Sequence, residues 1–299
     1  MAVRLLAAVA ALAAGAVAVV LAADVLRTTP GPVSVGGSAP AAVATTTPAP
    51  APNWPAPPAG AIVFSREDGA RVLALAALPG DAQVSVVSGQ GHGVTGLAVS
   101  VSGTRATACG PGCYRAPLTP PRPGAVDVRV GATRWHVVVP WSAPSGAALM
   151  ARASNVWRRL ESLTFSDHLA SDATHAVDTT WRIVAPDRIA YDVHGGDQAV
   201  IIGTRRWDRA PGGRWVESQS VQLHQPLPLW VAVTDAHVVA ETAATWDVTF
   251  YDPRTPAWFD VTVDKASLHT LTAQMRTTAH FMEEHYGGFD RGISITPPG

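Results

Sequence analysis

Seven short stretches between residues 61 and 141 alternate apolar with polar side chains: AIVFSRE, RVLALAAL, QVSVVS, GLAVSVSG, CYRAPL, AVDVRVG and RWHVVVPW. A period of two gives each strand one apolar face, and strand–turn spacing this regular predicts an all-β sandwich. ALPGDAQ and PPRPG between them carry the turn residues. Trp135 is expected in the sandwich core.

The period then changes. In SAPSGAALMARASNVWRRLESLT, the residues Leu149, Ala153, Val156, Leu160 and Leu163 step by four and three, and Trp157 joins their stripe. Arg152, Arg158, Arg159 and Glu161 lie off it. This spacing predicts an amphipathic helix with Ser145 as its N-cap. Beyond it the alternation returns in TTWRIVA, RIAYDVH, QAVIIGTRRWDRA, GRWVESQ, AHVVAETAATWDVTFYD, AWFDVTVDKAS and LHTLTAQMRTTAHFM. A helix followed by a long antiparallel meander predicts a curved sheet around that helix. SVQLHQPLPLWVAVTD fits neither period, and its Leu223, Leu227, Leu229 and Trp230 among prolines read as an apolar flap.

The N-terminus adds a compartment. Leu5 to Ala23 is an apolar run without a charge, preceded by Arg4. It approaches the roughly 20 residues of a membrane-spanning helix and exceeds the h-region of about 7–15 residues in a cleaved signal. An uncleaved anchor is favoured over a cleaved signal, and no Cys follows to accept a lipid. Either reading puts the remainder outside the cytoplasm. Residues 28–60 hold nine prolines and no charged side chain, the composition of a disordered, extended linker.

In that compartment Cys109 and Cys113, the two cysteines of the chain, are expected to form a structural disulfide across Gly110-Pro111-Gly112. A redox pair would more often be C-x-x-C, and a zinc site needs about four ligands. The net charge of -1 and pI near 6.8 give no reason to expect nucleic acid. One lysine, Lys265, among 22 basic residues reads as base-composition bias.

On the leading helix, TTWRIVAPDRIAYDV, AVIIGTRRWDR and above all WFDVTVDKASLHTLTAQM, residues 142–299 resemble the lipoprotein-carrier fold of the LolA, LprG and LppX type. YGGFDRGISITPP is similar to that family's terminal strand. Residues 61–141 resemble the small immunoglobulin-like domain near the CopC and YtkA groups. With ACGPGCYRA, the two together resemble the exported tail of actinobacterial CopD-type copper-transport proteins. The resemblance implies a mainly β chain in four parts. A signal-anchor or signal peptide (1–27) and a linker (28–60) precede an immunoglobulin-like sandwich (61–141) and an α+β half-barrel plugged by its helix (142–299). Those copper-transport proteins have many membrane helices and this chain has at most one, so it cannot itself conduct an ion.

Catalysis finds no support. There is no G-x-S-x-G, H-E-x-x-H or P-loop, and neighbours such as Asp167/His168 and Asp235/His237 mean nothing without geometry. GHGVTG satisfies G-x-G-x-x-G, but the strand LAVSVSG follows where a dinucleotide site needs a helix. The weak metal candidates are His280, Met282 and His285, with a strand ending in a charged turn as the favoured alternative. No cofactor is expected. The candidate ligand-binding residues are apolar: Trp157 and Leu160 on the helix, Trp181, Ile183, Tyr191, Ile202, Trp246, Phe250 and Val261 across the sheet, and Trp230 in the flap. They line either a cavity or a packed core. A cavity implies an exported, membrane-tethered, non-catalytic protein that holds a lipid or other apolar ligand. A filled interior implies a sensor or accessory module for an envelope protein partner, in copper handling or envelope stress.

Overall fold

The computed structural model describes residues 55–119, 124–278 and 280–299. The expected membrane span and most of the linker lie outside these residues. Among those described, no helix is long and apolar enough to cross a membrane. The fold is mainly β, with antiparallel sheets and one described helix.

The first half forms two sheets. Strands β1 (Ile62–Asp68), β2 (Arg71–Leu78), β3 (Gly80–Val87), β4 (Val99–Val101), β5 (Thr104–Arg105), β6 (Thr107–Gly110), β7 (Cys113–Leu118), β8 (Ala125–Val130) and β9 (Thr133–Val138) follow the predicted alternation closely. They are ordered β1-β2-β3-β7-β6 and β5-β4-β8-β9. Leu73, Leu75, Val84 and Tyr114 of one sheet share a core with Val101, Val126 and Val128 of the other. Trp135 only flanks that core and is half-buried, because Val137 and Val139 fill the inward positions near it.

The second half begins with helix α1 (Ala147–Trp157). It is shorter than its apolar stripe suggests. Its buried face is Met150, Ala153, Ser154 and Trp157, so Leu149 and Val156 lie at the margin and Leu160 falls beyond its end. Gly146, not Ser145, is the N-cap residue. A Cβ on Gly146 would come within 2.8 Å of Val248, so only glycine allows the helix to start this close to the sheet.

Leu163, read as helical, belongs to a strand missed by the periodicity: β10 (Ser162–Asp172). The remaining strands are β11 (His175–Val184), β12 (Arg188–Val193), β13 (Gln198–Ile202), β14 (Arg205–Arg209), β15 (Val216–Gln219), β16 (Thr234–Glu241), β17 (Thr245–Asp252), β18 (Ala257–Asp264), β19 (Thr270–Thr277) and β20 (His280–Gly287). They form one 11-stranded sheet, ordered β15-β14-β13-β12-β11-β10-β20-β19-β18-β17-β16. Strand β10 pairs with β11 on one side and β20 on the other, so it joins the two ends of the meander. Residues after Gly287, expected as a terminal strand, contain none. Instead Ile293 and Ile295 pack with Val200 and Trp207, and the Ile295 carbonyl accepts a hydrogen bond from Arg188 at 2.7 Å.

The two halves share a core. Strand β2, RVLALAAL, is buried along almost its whole length. Leu73, Leu75 and Ala77 point into the first core. Val72, Ala74 and Ala76 point the other way, onto Tyr251, Trp258 and Phe281 of the large sheet. Small residues on that face leave room for three large rings, and Arg276 reaches across to Ser65 at 3.5 Å. The end of the predicted linker is also fixed here. Gln83 donates to the Ala56 carbonyl at 2.9 Å and Ser85 to that of Pro55 at 3.1 Å, which satisfies two buried polar side chains.

Cys109 and Cys113 are joined by a disulfide with their Cα atoms 5.0 Å apart. The loop they close crosses the glycine loop read as a dinucleotide decoy. A Cβ on Gly93 would lie 2.3 Å from the Pro111 carbonyl, and one on Gly112 2.6 Å from the Gly93 Cα. At Gly93 and Gly112 a side chain would collide with the backbone that crosses there.

Two outcomes follow for this architecture. Trp258→Ala should lower stability by about 3–5 kcal/mol, the usual cost of truncating a large buried ring, while unfolding in urea remains one transition for both halves. Separate transitions for the two halves would contradict the shared core. Thiol titration of the denatured, unreduced protein should detect no free cysteine.

Candidate functional site

The 11-stranded sheet has two faces. One carries Tyr251, Trp258 and Phe281 against β1–β3. The other lies under α1 and the irregular segment before β16. Alternation puts Leu163, Phe165, Asp167 and Leu169 of β10 on that second face, opposite Tyr286, Glu284 and Met282 of β20.

A run of aromatic rings crosses it. Tyr191 meets Trp181 with ring centroids 4.7 Å apart, and Trp181 stacks on Phe165 at 5.7 Å. Phe165 meets Tyr286 at 5.3 Å, and Tyr286 meets Trp157 edge-on at 4.6 Å. Trp157 meets Trp230 at 6.3 Å, and Trp230 meets Phe250 at 5.8 Å. The sheet positions these rings through register: Trp181 sits directly opposite both Phe165 and Tyr191. Of the residues singled out in the sequence, Trp157, Trp181, Tyr191, Trp230 and Phe250 therefore lie in one chain of contacts. Leu160 is buried just past α1. Trp246 lies apart, half-buried with the Lys265 ammonium 5.3 Å over its ring. Ile202 points to the opposite face with Val200, and Ile201 takes the inward position opposite Ile189, with Ala199 opposite Tyr191.

The irregular segment is anchored at specific points. Leu223, Leu229 and Trp230 are buried, whereas Leu227 is exposed. The Trp230 indole donates to Ser154 of α1 at 3.1 Å. The fully buried Asp252 carboxylate accepts from the backbone amides of Val231 at 2.6 Å and Ala232 at 3.0 Å. Between α1 and this segment runs an open groove of about 290 Å³, lined by Ala147, Met150, Ala151, Ser154, Asn155, Arg158, Trp230, Val231 and Val233.

Polar chemistry hides among the rings. Asp167 and Glu284, only 5 % and 4 % exposed, are direct cross-strand partners. The Tyr286 hydroxyl donates to Glu284. Burial pushes the Asp167 carboxyl up to about 7, against the opposing pull of Trp181 and His168. Burial first, and then the neighbouring Asp167, raise Glu284 well above the usual carboxylate range. Burial and Glu284 likewise raise Tyr286. The Trp181 indole N–H is directed at the Asp167 carboxyl, whereas the buried Trp157 Nε1 has no partner among the described residues.

The sequence reading missed this pair. Its signal was Leu163-x-Phe165-x-Asp167-x-Leu169, a strand pattern interrupted by one acid. The weak metal candidates do not converge: on β20 His280 and Met282 share a face, while alternation turns the exposed His285 to the other, where it meets Glu283 at 3.0 Å. His280 instead approaches the Thr278 carbonyl at 2.9 Å. Among the described residues, no group of three His, Cys, Asp or Glu side chains could hold a metal ion.

No protein-family model matches the chain, and no curated protein matches it. Among solved structures, a weak neighbour is a LolA superfamily protein from Nitrosomonas europaea. It has 6% identity and a TM-score of 0.24 over 52% of this chain and 96% of that one.

Acids raised by burial hold their protons in the folded state at a pH where the unfolded chain has released them. Stability should therefore fall as pH rises from about 4, the ordinary carboxylate value, through about 7 for Asp167 and further for Glu284. Each such proton contributes a slope of roughly 1.4 kcal/mol per pH unit. Melting curves from pH 5 to 8 should show the decline, and Asp167→Asn should flatten it. An unchanged slope in that variant would assign the effect elsewhere.

Proposed function

We propose that the protein is an exported, non-catalytic binding protein that holds a lipid or other apolar ligand against the aromatic face of its large sheet. The single observation that carries this reading is the groove of about 290 Å³ between α1 and the segment bearing Trp230. Its lining mixes apolar Met150, Trp230, Val231 and Val233 with polar Ser154, Asn155 and Arg158, and a helix and an irregular segment cover the sheet there in place of further strands. Burial of each methylene of an acyl chain in such a groove contributes roughly 0.8 kcal/mol. The likeness of residues 142–299 to a plugged half-barrel, and of 61–141 to an immunoglobulin-like domain, accords with a carrier on a spacer. The apolar run 5–23 and the charge-free stretch after it support tethering of that carrier to the outer side of the cell membrane.

A second reading has its own observation. Val216, Val221, Leu227 and Val231 are exposed large apolar residues close together in sequence. Exposed apolar side chains of this kind are what a protein partner would cover, as in a sensor or accessory module of a copper-handling or envelope-stress system.

The neutral fluorophore N-phenyl-1-naphthylamine should bind the full chain saturably. Ala151 is exposed on α1 within the groove, so Ala151→Trp should fill the groove without disturbing the core and weaken binding at least tenfold. Absence of saturable binding by the unaltered protein would overturn the ligand reading in favour of the partner module.

A further inference from the structure

The groove beside α1 changes character along its length. Ala147, Met150 and Ala151 of the helix and Val231 and Val233 of the irregular segment are apolar, whereas Ser154, Asn155 and Arg158 at the far end of the helix are polar. From Ala147 to Arg158 the helix rises about 16 Å, so a molecule lying along it meets an apolar stretch and one polar end.

The charge at that end is unbalanced. Arg71, Arg115, Arg205, Arg206 and Arg276 are each held by a carboxylate. Arg158 is exposed and reaches only its own helix: one guanidinium nitrogen donates to the Ser154 carbonyl at 3.4 Å and to Asn155 Oδ1 at 3.3 Å. Neither α1 nor the groove lining contains an acid. Asp252, which holds the irregular segment, is fully buried, and its carboxylate is taken by the amides of Val231, Ala232, Arg254 and Thr255. Helix C-termini ordinarily repel anions through their free carbonyls. Here the Ser154, Val156 and Trp157 carbonyls accept from the amides of Arg158, Arg159 and Leu160, and Arg159 adds a second positive charge.

A guanidinium meets a carboxylate through two parallel N–H···O bonds, and the Asn155 amide beside it can add a third donor. An ammonium head would be repelled by Arg158 and would find no carboxylate in the lining. A neutral head would gain nothing from the charge.

We propose that the groove takes a single-chain amphiphile with a singly charged anionic head, a fatty-acid carboxylate in its simplest form. The head sits on Arg158 and Asn155, and the chain lies along Trp230, Met150 and Val231. This inference rests on the apolar-ligand reading and adds the chemistry of the head.

Competition against bound N-phenyl-1-naphthylamine, using the full chain at about pH 8 and monomeric competitor, compares dodecanoate with dodecan-1-ol and dodecylamine; a carboxylic acid is ionised there and an alkylamine still charged. A charge-assisted pair at an open site should make dodecanoate compete about fivefold better than dodecanol, and better still than dodecylamine. Dodecyl phosphate, whose second charge no side chain of the lining balances, should compete no better than dodecanoate. Arg158→Gln should bring dodecanoate down to the level of dodecanol, and Arg158→Glu should put dodecylamine ahead of dodecanoate. Arg152→Gln removes the same charge from an exposed position of α1 outside the lining and should leave the preference intact. Circular dichroism and the melting temperature check that all three variants fold. Equal competition by dodecanol, tighter competition by dodecyl phosphate, or the same loss in Arg152→Gln as in Arg158→Gln would overturn the head assignment and leave the apolar-ligand reading standing. Binding of neither the fluorophore nor any dodecyl compound would overturn both.

Discussion

The packing of Tyr251, Trp258 and Phe281 onto Val72, Ala74 and Ala76 is the contact on which the rest of the structure depends. It makes the sheet that contains β2 the middle of three layers. Leucines on one side of that strand fill the first core, and small residues on the other receive aromatic rings. A larger residue at Ala74 or Ala76 would push the rings away, because protein interiors tolerate little change of volume. With one face of the 11-stranded sheet committed to this contact, the other is left for the helix, the irregular segment and the site.

Much of this was legible in the pattern of apolar positions. The strands from β1 to β3 and from β11 to β19 follow simple alternation or turn punctuation, because one face of each meets a core and the turns carry Gly, Pro or Asp. RVLALAAL was legible as a strand but not as a doubly buried one, since a run of Ala, Val and Leu does not say which partner covers its second face. The candidate ring residues were visible as large apolar side chains on strands, on the helix and in the flap. Their contacts were not, because those depend on the pairing of β11 with β10 and β12.

The central strand β10 was hidden for a physical reason. Its first apolar residue, Leu163, continues the spacing of the helix before it, and its third inward position is Asp167. An acid at an inward position erases the strand signal in the sequence. The same acid is the feature that sets this face of the sheet apart, buried and paired across strands with Glu284. The expected membrane span, by contrast, rests on composition alone.

An open sheet of eleven strands has two outer edges whose backbone groups could template another chain, and the two are blunted differently. On β16 the pairing with β17 shifts register twice, and the start of α1 closes over it, with Gly146 donating to the Ala236 carbonyl at 2.6 Å and Val238 to that of Pro144 at 3.0 Å. On β15 the protection is brevity and charge: four residues, among them Glu217 engaged by Arg205 at 2.8 Å. The flank of β15 also carries the exposed Val216 and Val221. Self-association at high concentration, were the chain prone to it, would begin at this edge by strand addition.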